Sequence, residues 1–91
     1  MAKILYTERY IEKAKRFIKK HPELTNQYKK TLQLLELNPG HPSLRLHKLK
    51  AKHKNLYSVS INISYRIRLM FLLENNAIVP IDIGTHDELY R

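Results

Sequence analysis

The C-terminal end of the chain holds a dense group of side chains that can exchange protons or bind an anion. An apolar run ends at Ile83, and the chain then closes with the segment GTHDELYR. Histidine has an ordinary pKa of about 6.5, so His86 can act as an acid or a base at neutral pH. Tyr90 could position a substrate or anchor the chain end, whereas Asp87 and Glu88 suit the first turn of a helix. His86 is therefore the first candidate for proton transfer, the alternative being a surface histidine that caps the final turn.

Two arginines are expected on a strand at YRIRLMFLL. Side chains alternate between the two faces of a strand, so the apolar residues of this run point towards a core and Arg66 and Arg68 point away from it. A guanidinium stays charged and can bind two phosphate oxygens at once. Arg66 is a candidate for stabilising charge on phosphorus, and Arg68 is expected either to help bind RNA or to pair with Asp82 or Glu74. A histidine near such an arginine suits phosphoryl transfer, in which a base and an acid flank the phosphorus.

The chain is strongly basic, because 17 lysines and arginines against 8 acidic residues give a formal net charge of +9. This excess predicts a polyanionic partner, most often a nucleic acid. The segment SLRLHKLKAKHKN concentrates the charge and also contains His47. Its alternating lysines predict a track for RNA phosphates, although a solvated loop would explain them too. These candidates are Lys48, Lys50, Lys52 and Lys54.

Composition also excludes several classes of protein. The absence of cysteine rules out disulfides and thiolate zinc sites and predicts a reducing, cytoplasmic location. No run of about 18 apolar residues predicts a membrane span, and the N-terminal apolar run is too short for a signal peptide. The histidines show none of the usual metal-ligand spacings, so neither a metal nor another cofactor is expected.

Hydrophobic periodicity predicts one α+β domain over residues 1–91, in the order β-α-α-β-β-β. A short strand at AKILYT precedes a helix that Thr7 caps and Pro22 stops. A second helix is expected from Glu23 to about Leu37, and the two helices form a hairpin on one face of a small, mainly antiparallel sheet. Three strands follow, LYSVSIN, YRIRLMFLL and AIVPIDI, and a short helical turn closes the chain.

The alternation within the strands also predicts their register. If Ser58 and Ser60 lie beside the arginines on an open polar face, even-numbered positions must pair with even ones, and the intervening loop holds an odd number of residues, expected to be 63–65. Pro80 indicates a sheet edge or a bulge. Gly84 and Thr85 are expected to form a turn that holds His86 beside the open face. The apolar residues of the connector, Leu44, Leu46 and Leu49, are expected to pin it to the core.

The order of these elements, together with HPSLRLHKLKAKHKNLYSVSINISYRIRLMF and IDIGTHDELYR, resembles the RelE/ParE toxin superfamily of bacterial toxin–antitoxin modules. The likeness spans nearly the whole chain. It is greatest to the RelE/StbE and YafQ-like branches, often labelled plasmid stabilisation proteins, in which SYRI opens the middle strand and GTH precedes a C-terminal aromatic residue.

The resemblance implies roles for four residues. His86 matches the C-terminal catalytic histidine of the family, and Arg66 matches the arginine that contacts the scissile phosphate. Tyr90 stands where the family keeps an aromatic residue near the base, and His47 matches a connector histidine that YafQ-like toxins use near the active site. The chain departs from the family in carrying serines on the first strand of the meander, where related toxins carry lysines or further acid/base residues.

The same resemblance implies a function. The expected protein is a toxin that cuts mRNA in the ribosomal A site by metal-independent acid/base catalysis. An acidic antitoxin would wrap around it and silence it, and mRNA and ribosomal RNA would be its other partners. The alternatives are a ParE-like inhibitor of DNA gyrase and a catalytically weak RNA-binding relative.

Overall fold

The computed structural model describes residues 3–49, 56–72 and 76–89, with the backbone alone for Leu72 and His86. The predicted α+β class is confirmed, and the observed order adds one short strand, β2, inside the connector. The elements are β1 (Lys3–Ile4), α1 (Glu8–Lys20), α2 (Thr25–Leu37), β2 (His47–Lys48), β3 (Leu56–Ser60), β4 (Tyr65–Leu72), β5 (Ala77–Thr85) and α3 (His86–Leu89).

Helix α1 begins and packs as its sequence predicts. The Thr7 hydroxyl accepts a hydrogen bond from the Tyr10 amide (3.1 Å) and so caps the first turn. Tyr10, Ala14 and Phe17 recur at helical spacing and are all buried. The remaining face of α1 is rich in lysine and arginine, so one side of the helix supplies the core and the other supplies charge.

Helix α2 begins two residues later than expected. A tight 3-10 turn, Pro22–Leu24, separates the helices, and α2 starts at Thr25 instead of Glu23. Proline favours the first position of such a turn, and the Thr25 hydroxyl donates to the Pro22 carbonyl (2.8 Å). Leu35 on α2 is fully buried, and Tyr28 packs at the margin of the core. The predicted helical hairpin is therefore confirmed.

The strands form one sheet in the order β1-β5-β4-β3-β2. Strand β1 pairs in parallel with β5, and the other pairs are antiparallel. One face of the sheet packs on α1 and α2 through Val59, Ile67, Leu69 and Ile78. We call the opposite face, which carries Arg66 and Arg68, the second face.

Pro80 lies at an irregularity in β5, as predicted. Arg68 pairs with Asp82 whereas Leu69 pairs with Pro80, so Ile81 is the extra residue of a β-bulge. Strand β1 pairs only with Ala77 and Ile78 of β5. Pro80 therefore lies on a part of β5 that has no strand on its other side within the described residues, and its missing amide hydrogen breaks no ladder there.

The register between β3 and β4 confirms the even-to-even pairing. Ser58 lies opposite Arg68 and Ser60 opposite Arg66. The Ile61 amide donates to the Tyr65 carbonyl (2.8 Å) and closes a loop over 62–64. The loop length is odd as expected, but its position is one residue earlier than 63–65, because the Asn62 side chain accepts the Ser64 and Tyr65 amides and makes the turn there.

The second face is less open than expected. Ser58 is 0% and Ser60 is 7% exposed, so the prediction that this face is open is wrong at these two serines. The Arg66 side chain lies on Ser58, and the connector turn Pro42–Leu44 lies against the end of β3 near Ser60. Leu44 and Leu49 pin the connector as predicted, whereas Leu46 is 37% exposed and does not.

Candidate active site on the second face

Two rows of paired residues cross the second face. Residues directly opposite each other in antiparallel strands share a face. One row runs from β2 to β5 through His47, Ser58, Arg68 and Asp82, and the adjacent row contains Ser60, Arg66 and Gly84. The predicted residues His47, Arg66 and Arg68 are therefore brought together on one face, from two separate parts of the chain.

Arg66 is fixed in place at both ends of its guanidinium group. Its Nε donates to the Ser58 hydroxyl (3.1 Å), and its Nη2 donates to the Arg45 carbonyl (2.9 Å). Arg45 has a positive φ of 48°, which turns the connector after Leu44 so that this carbonyl faces β4. These two bonds use two of the five N–H donors of the group, and no carboxylate of the described residues is paired with it. The charge of Arg66 is therefore oriented but not neutralised there.

Arg68 has a different environment. Its Nη2 lies 3.3 Å from Asp82 Oδ2, and Lys13 lies 3.5 Å from the other oxygen of that carboxylate. Asp82 therefore contacts α1 through Lys13 as well as β4 through Arg68. The pairing of Arg68 with Asp82, one of the two expected outcomes, is confirmed. The Arg68 Nε is buried without a hydrogen-bond partner among the described residues. Asp82 is therefore the main group there that stabilises the charge of Arg68.

His47 and Lys48 form the short edge strand β2 and are exposed. His47 lies opposite Ser58, the same serine that holds Arg66, so the two candidates share a neighbour. Lys48 lies opposite Tyr57 and faces the other way. An imidazole on the second face beside an oriented guanidinium can exchange a proton with a substrate held there.

The backbone of His86 is positioned by the end of β5. The predicted turn at Gly84-Thr85 is wrong, because both residues belong to β5 and pair with Arg66 and Tyr65. Strand pairing with β4 keeps this segment extended, and His86 starts α3 immediately after it. His86 is thus placed at the same end of the sheet as Arg66.

A capping box joins the end of β5 to the first turn of α3. Glu88 donates its amide to the Thr85 hydroxyl (3.2 Å), and its carboxylate accepts the Thr85 amide (2.9 Å). Leu89 is only 4% exposed and anchors the helical turn. A Cβ at Gly84 would lie 3.1 Å from Glu88 Oε1, so glycine gives the capping carboxylate room to fold back. The expectation that Asp87 and Glu88 are first-turn carboxylates is confirmed.

Four further candidates from the sequence fall in segments that the structure does not describe. They are Tyr90, Lys50, Lys52 and Lys54.

The described residues were also compared with metal sites and membrane spans. Across residues 3–49, 56–72 and 76–89, no three histidine or acidic side chains come close enough to hold a metal ion. Over the same ranges, no helix is long and apolar enough to cross a membrane.

Sequence reasoning missed the two groups that orient Arg66. The face of Ser58 was expected to be open, and the predicted register already placed Ser58 on the arginine face, one pair away from Arg66. That signal could have identified it. The Arg45 carbonyl had no comparable signal, because a backbone acceptor depends on the path of the connector and not on the residue type.

No family model and no curated protein matches the sequence. Several solved structures, in contrast, share its fold. The toxin in the Escherichia coli DinJ–YafQ complex superposes with a TM-score of 0.80 at 18% identity and covers 100% of both chains. A metal-bound toxin from Helicobacter pylori gives 0.74 at 21% identity over 98% of this chain and 99% of that one. The YoeB dimer from Staphylococcus aureus gives 0.69 at 20% identity over 93% and 97%.

These likenesses define the class of the structure. The protein has the RelE/ParE toxin fold, with a helical hairpin on a five-stranded mixed sheet and a short C-terminal helix. The resemblance inferred from the sequence is confirmed at this level.

Proposed function

We propose that this protein is the toxin of a type II toxin–antitoxin module and acts as an endoribonuclease on mRNA at the ribosome. The observation that carries the proposal is Arg66, an oriented cation on a face that also presents His47 and ends beside the His86 backbone. The RelE/ParE toxin fold, which YafQ and YoeB share, and the net charge of +9 support it.

In the proposed reaction the 2′-hydroxyl of one nucleotide attacks the adjacent phosphorus. A base removes the hydroxyl proton, and an acid returns a proton to the 5′ oxygen as its bond to phosphorus breaks. The products are a 2′,3′-cyclic phosphate and a 5′-hydroxyl, so no metal or redox partner is needed. His86 is proposed as the main acid or base, with His47 as the second group and Tyr90 as the residue that positions the substrate.

Arg66 has the electrostatic role in this scheme. Negative charge gathers on the phosphate oxygens at the transition state, and a cation that is already oriented stabilises it without reorganisation. Ser58 and the Arg45 carbonyl supply that orientation. Lys48 and the connector lysines Lys50, Lys52 and Lys54 would attract the RNA backbone, and Arg68, with its charge shared with Asp82, would contribute less.

One observation favours a weaker catalyst of the same class. Ser58 and Ser60 occupy the strand where related toxins carry cationic or acid/base residues, and both are buried here. A serine hydroxyl cannot serve as a base without help, so proton transfer would fall almost entirely to the two histidines. The second candidate function is therefore a slow endoribonuclease or an RNA-binding relative without activity.

The proposal is tested first by expression in a bacterial host. Without its partner the protein should arrest growth, and co-expression of an acidic antitoxin encoded beside it should restore growth. Translation should stop before DNA replication. Unchanged growth contradicts the toxin function, and an early stop of replication with gyrase inhibited replaces the ribonuclease with the ParE-like alternative. The proposed location is the cytoplasm, where the ribosomes are.

The role of His86 has its own test. His86→Ala should fold, bind the antitoxin and lose about 10² to 10⁴ in cleavage rate, the usual cost of one proton-transfer group. If it cleaves as fast as the wild type while His47→Ala does not, the main acid or base is His47.

A further inference from the structure

A second concave surface lies beside α1, next to the end of β5 that pairs with Arg66. We call it the α1 cleft. It is an open cleft of about 680 Å³ between the last two turns of α1 and the end of β5. The residues that carry the argument are Arg16, Phe17, Lys19, Lys20, His21 and Tyr65, which all line it.

The rim of the α1 cleft carries uncompensated positive charge. Arg16, Lys19 and Lys20 are exposed, and among the described residues none of them pairs with an acidic side chain. Two carboxylates also line the cleft, but its four lysine and arginine side chains outnumber them. Asp82 lies between Lys13 and Arg68, and Glu88 accepts the Thr85 amide. A simple stabilising role at the helix C-terminus would account for some of these cations, but not for their position around a cavity.

The floor of the α1 cleft is aromatic. The His21 ring lies 4.9 Å from Phe17 and 4.8 Å from Tyr65, and the last two rings meet edge to face at 5.2 Å. His21 and Tyr65 remain partly exposed in the cleft, while Phe17 is buried beneath them. Cations around partly exposed rings are the elements by which proteins hold single-stranded nucleic acid, with phosphates on the cations and bases against the rings.

The α1 cleft adjoins the candidate active site. Tyr65 precedes Arg66 on β4 and points to the opposite face, and Gly84 both lines the cleft and pairs with Arg66. A strand of RNA leaving Arg66 would therefore meet the α1 cleft after passing the end of β5, where residue 84 has no side chain.

We propose that the α1 cleft is a second binding site for single-stranded RNA, occupied by nucleotides next to those held at Arg66. The inference rests on the proposed function for the direction of the strand, although RNA binding in the cleft can be measured without cleavage. An acidic peptide would suit the charges equally well. The partly exposed rings and the continuity with Arg66 favour RNA.

The test measures binding of a short single-stranded RNA as a function of salt. Each phosphate contact with a single strand adds about 0.7 to the slope of log K against log salt. A cleft variant that removes three contacts should lower that slope by about 2. A matched control removes the same charge from exposed positions elsewhere and should leave the slope nearly unchanged. The cleft variant is Arg16→Gln, Lys19→Gln and Lys20→Gln, and the control is Lys15→Gln, Lys29→Gln and Lys30→Gln.

Two further ligands separate RNA from other polyanions. Inorganic polyphosphate has the charge without the bases, and polyglutamate represents an acidic peptide. RNA should bind more tightly than either, and His21→Ala should weaken RNA binding by about tenfold, the loss typical of one base–ring contact, with little effect on polyphosphate. Equal binding of polyglutamate, or equal slopes for the cleft variant and its control, overturns the proposal.

Arg66→Gln distinguishes this inference from the proposed function. If the cleft variant binds RNA like the wild type while Arg66→Gln binds weakly, the α1 cleft is not an RNA site and the Arg66 site stands. If the cleft variant alone binds weakly, the second site stands, and Arg66 does not hold the RNA before reaction; its role at the transition state then fails only if Arg66→Gln also cleaves at the wild-type rate.

Discussion

Replacing Ser58 by alanine tests how Arg66 is held. Ser58 is fully buried, and its hydroxyl accepts the Arg66 Nε at 3.1 Å. The alanine variant loses this acceptor, while the bond from Arg66 Nη2 to the Arg45 carbonyl remains. The guanidinium should then pivot about its remaining bond, so we expect Ser58→Ala to fold with a mobile cation in place of an oriented one.

The size of the effect follows from this geometry. A hydrogen bond to a charged group contributes about 1.5 to 3 kcal/mol, but Arg66 is half-buried and water can replace part of the bond. The free energy of unfolding should therefore fall by about 1 kcal/mol. If the same energy is lost at the transition state, cleavage should slow by about fivefold. Deleting Arg66 itself should cost more, about 10² to 10³.

The assay pairs urea unfolding with cleavage of a message on purified ribosomes. Ser60→Ala is the matched control, because Ser60 is buried on the same strand and face and makes no hydrogen bond to Arg66 within the described residues. It should cleave at nearly the wild-type rate. If Ser58→Ala also cleaves at the wild-type rate, the orientation of Arg66 does not depend on this hydroxyl and the argument from the structure is wrong.

Three further variants test other parts of the structure. Asp82→Asn removes the carboxylate that pairs with Lys13 and Arg68. It should lower the free energy of unfolding by about 1 to 2 kcal/mol in urea melts, and by less at high salt. A loss that does not depend on salt would contradict the ion pairing. Burial, followed by the nearby Tyr28 hydroxyl, raises the pKa of Tyr10 above its ordinary 10.0. The unfolded chain ionises first, so stability should fall as pH rises above about 10, and less so in Tyr10→Phe; equal losses would refute this. The new methyl group in Gly84→Ala would crowd the Glu88 carboxylate and weaken the cap of α3. The free energy of unfolding should fall by about 0.5 to 1 kcal/mol, and cleavage should slow. Unchanged unfolding and cleavage would show that the cap does not need glycine.

The elements were predictable where one periodicity dominated. Alternation in β3 and β4 predicted both faces and the even register, because a slip of one residue would have buried arginines and exposed Val59 and Ile67. The cap at Thr7 and the stop at Pro22 were equally local signals. The fold class followed from the order of these elements.

The candidate site was only partly predictable. The face that carries Arg66 followed from alternation, but the burial of Ser58 did not, because it depends on the Arg66 side chain and a connector that folds back in space. The strand conformation of Gly84 and Thr85 was missed for a similar reason. Glycine and threonine favour a turn locally, and pairing with β4 overrides that preference.

The most direct test of the central claim is the chemistry of the cut ends. Purified protein is added to ribosomes programmed with a defined message, and the 3′ ends of the fragments are analysed with the wild type and with Arg66→Ala. We expect fragments that end in a 2′,3′-cyclic phosphate, formed about 10² to 10³ times more slowly by Arg66→Ala. An uncut message, or cleavage at equal rates by the two proteins, would contradict it.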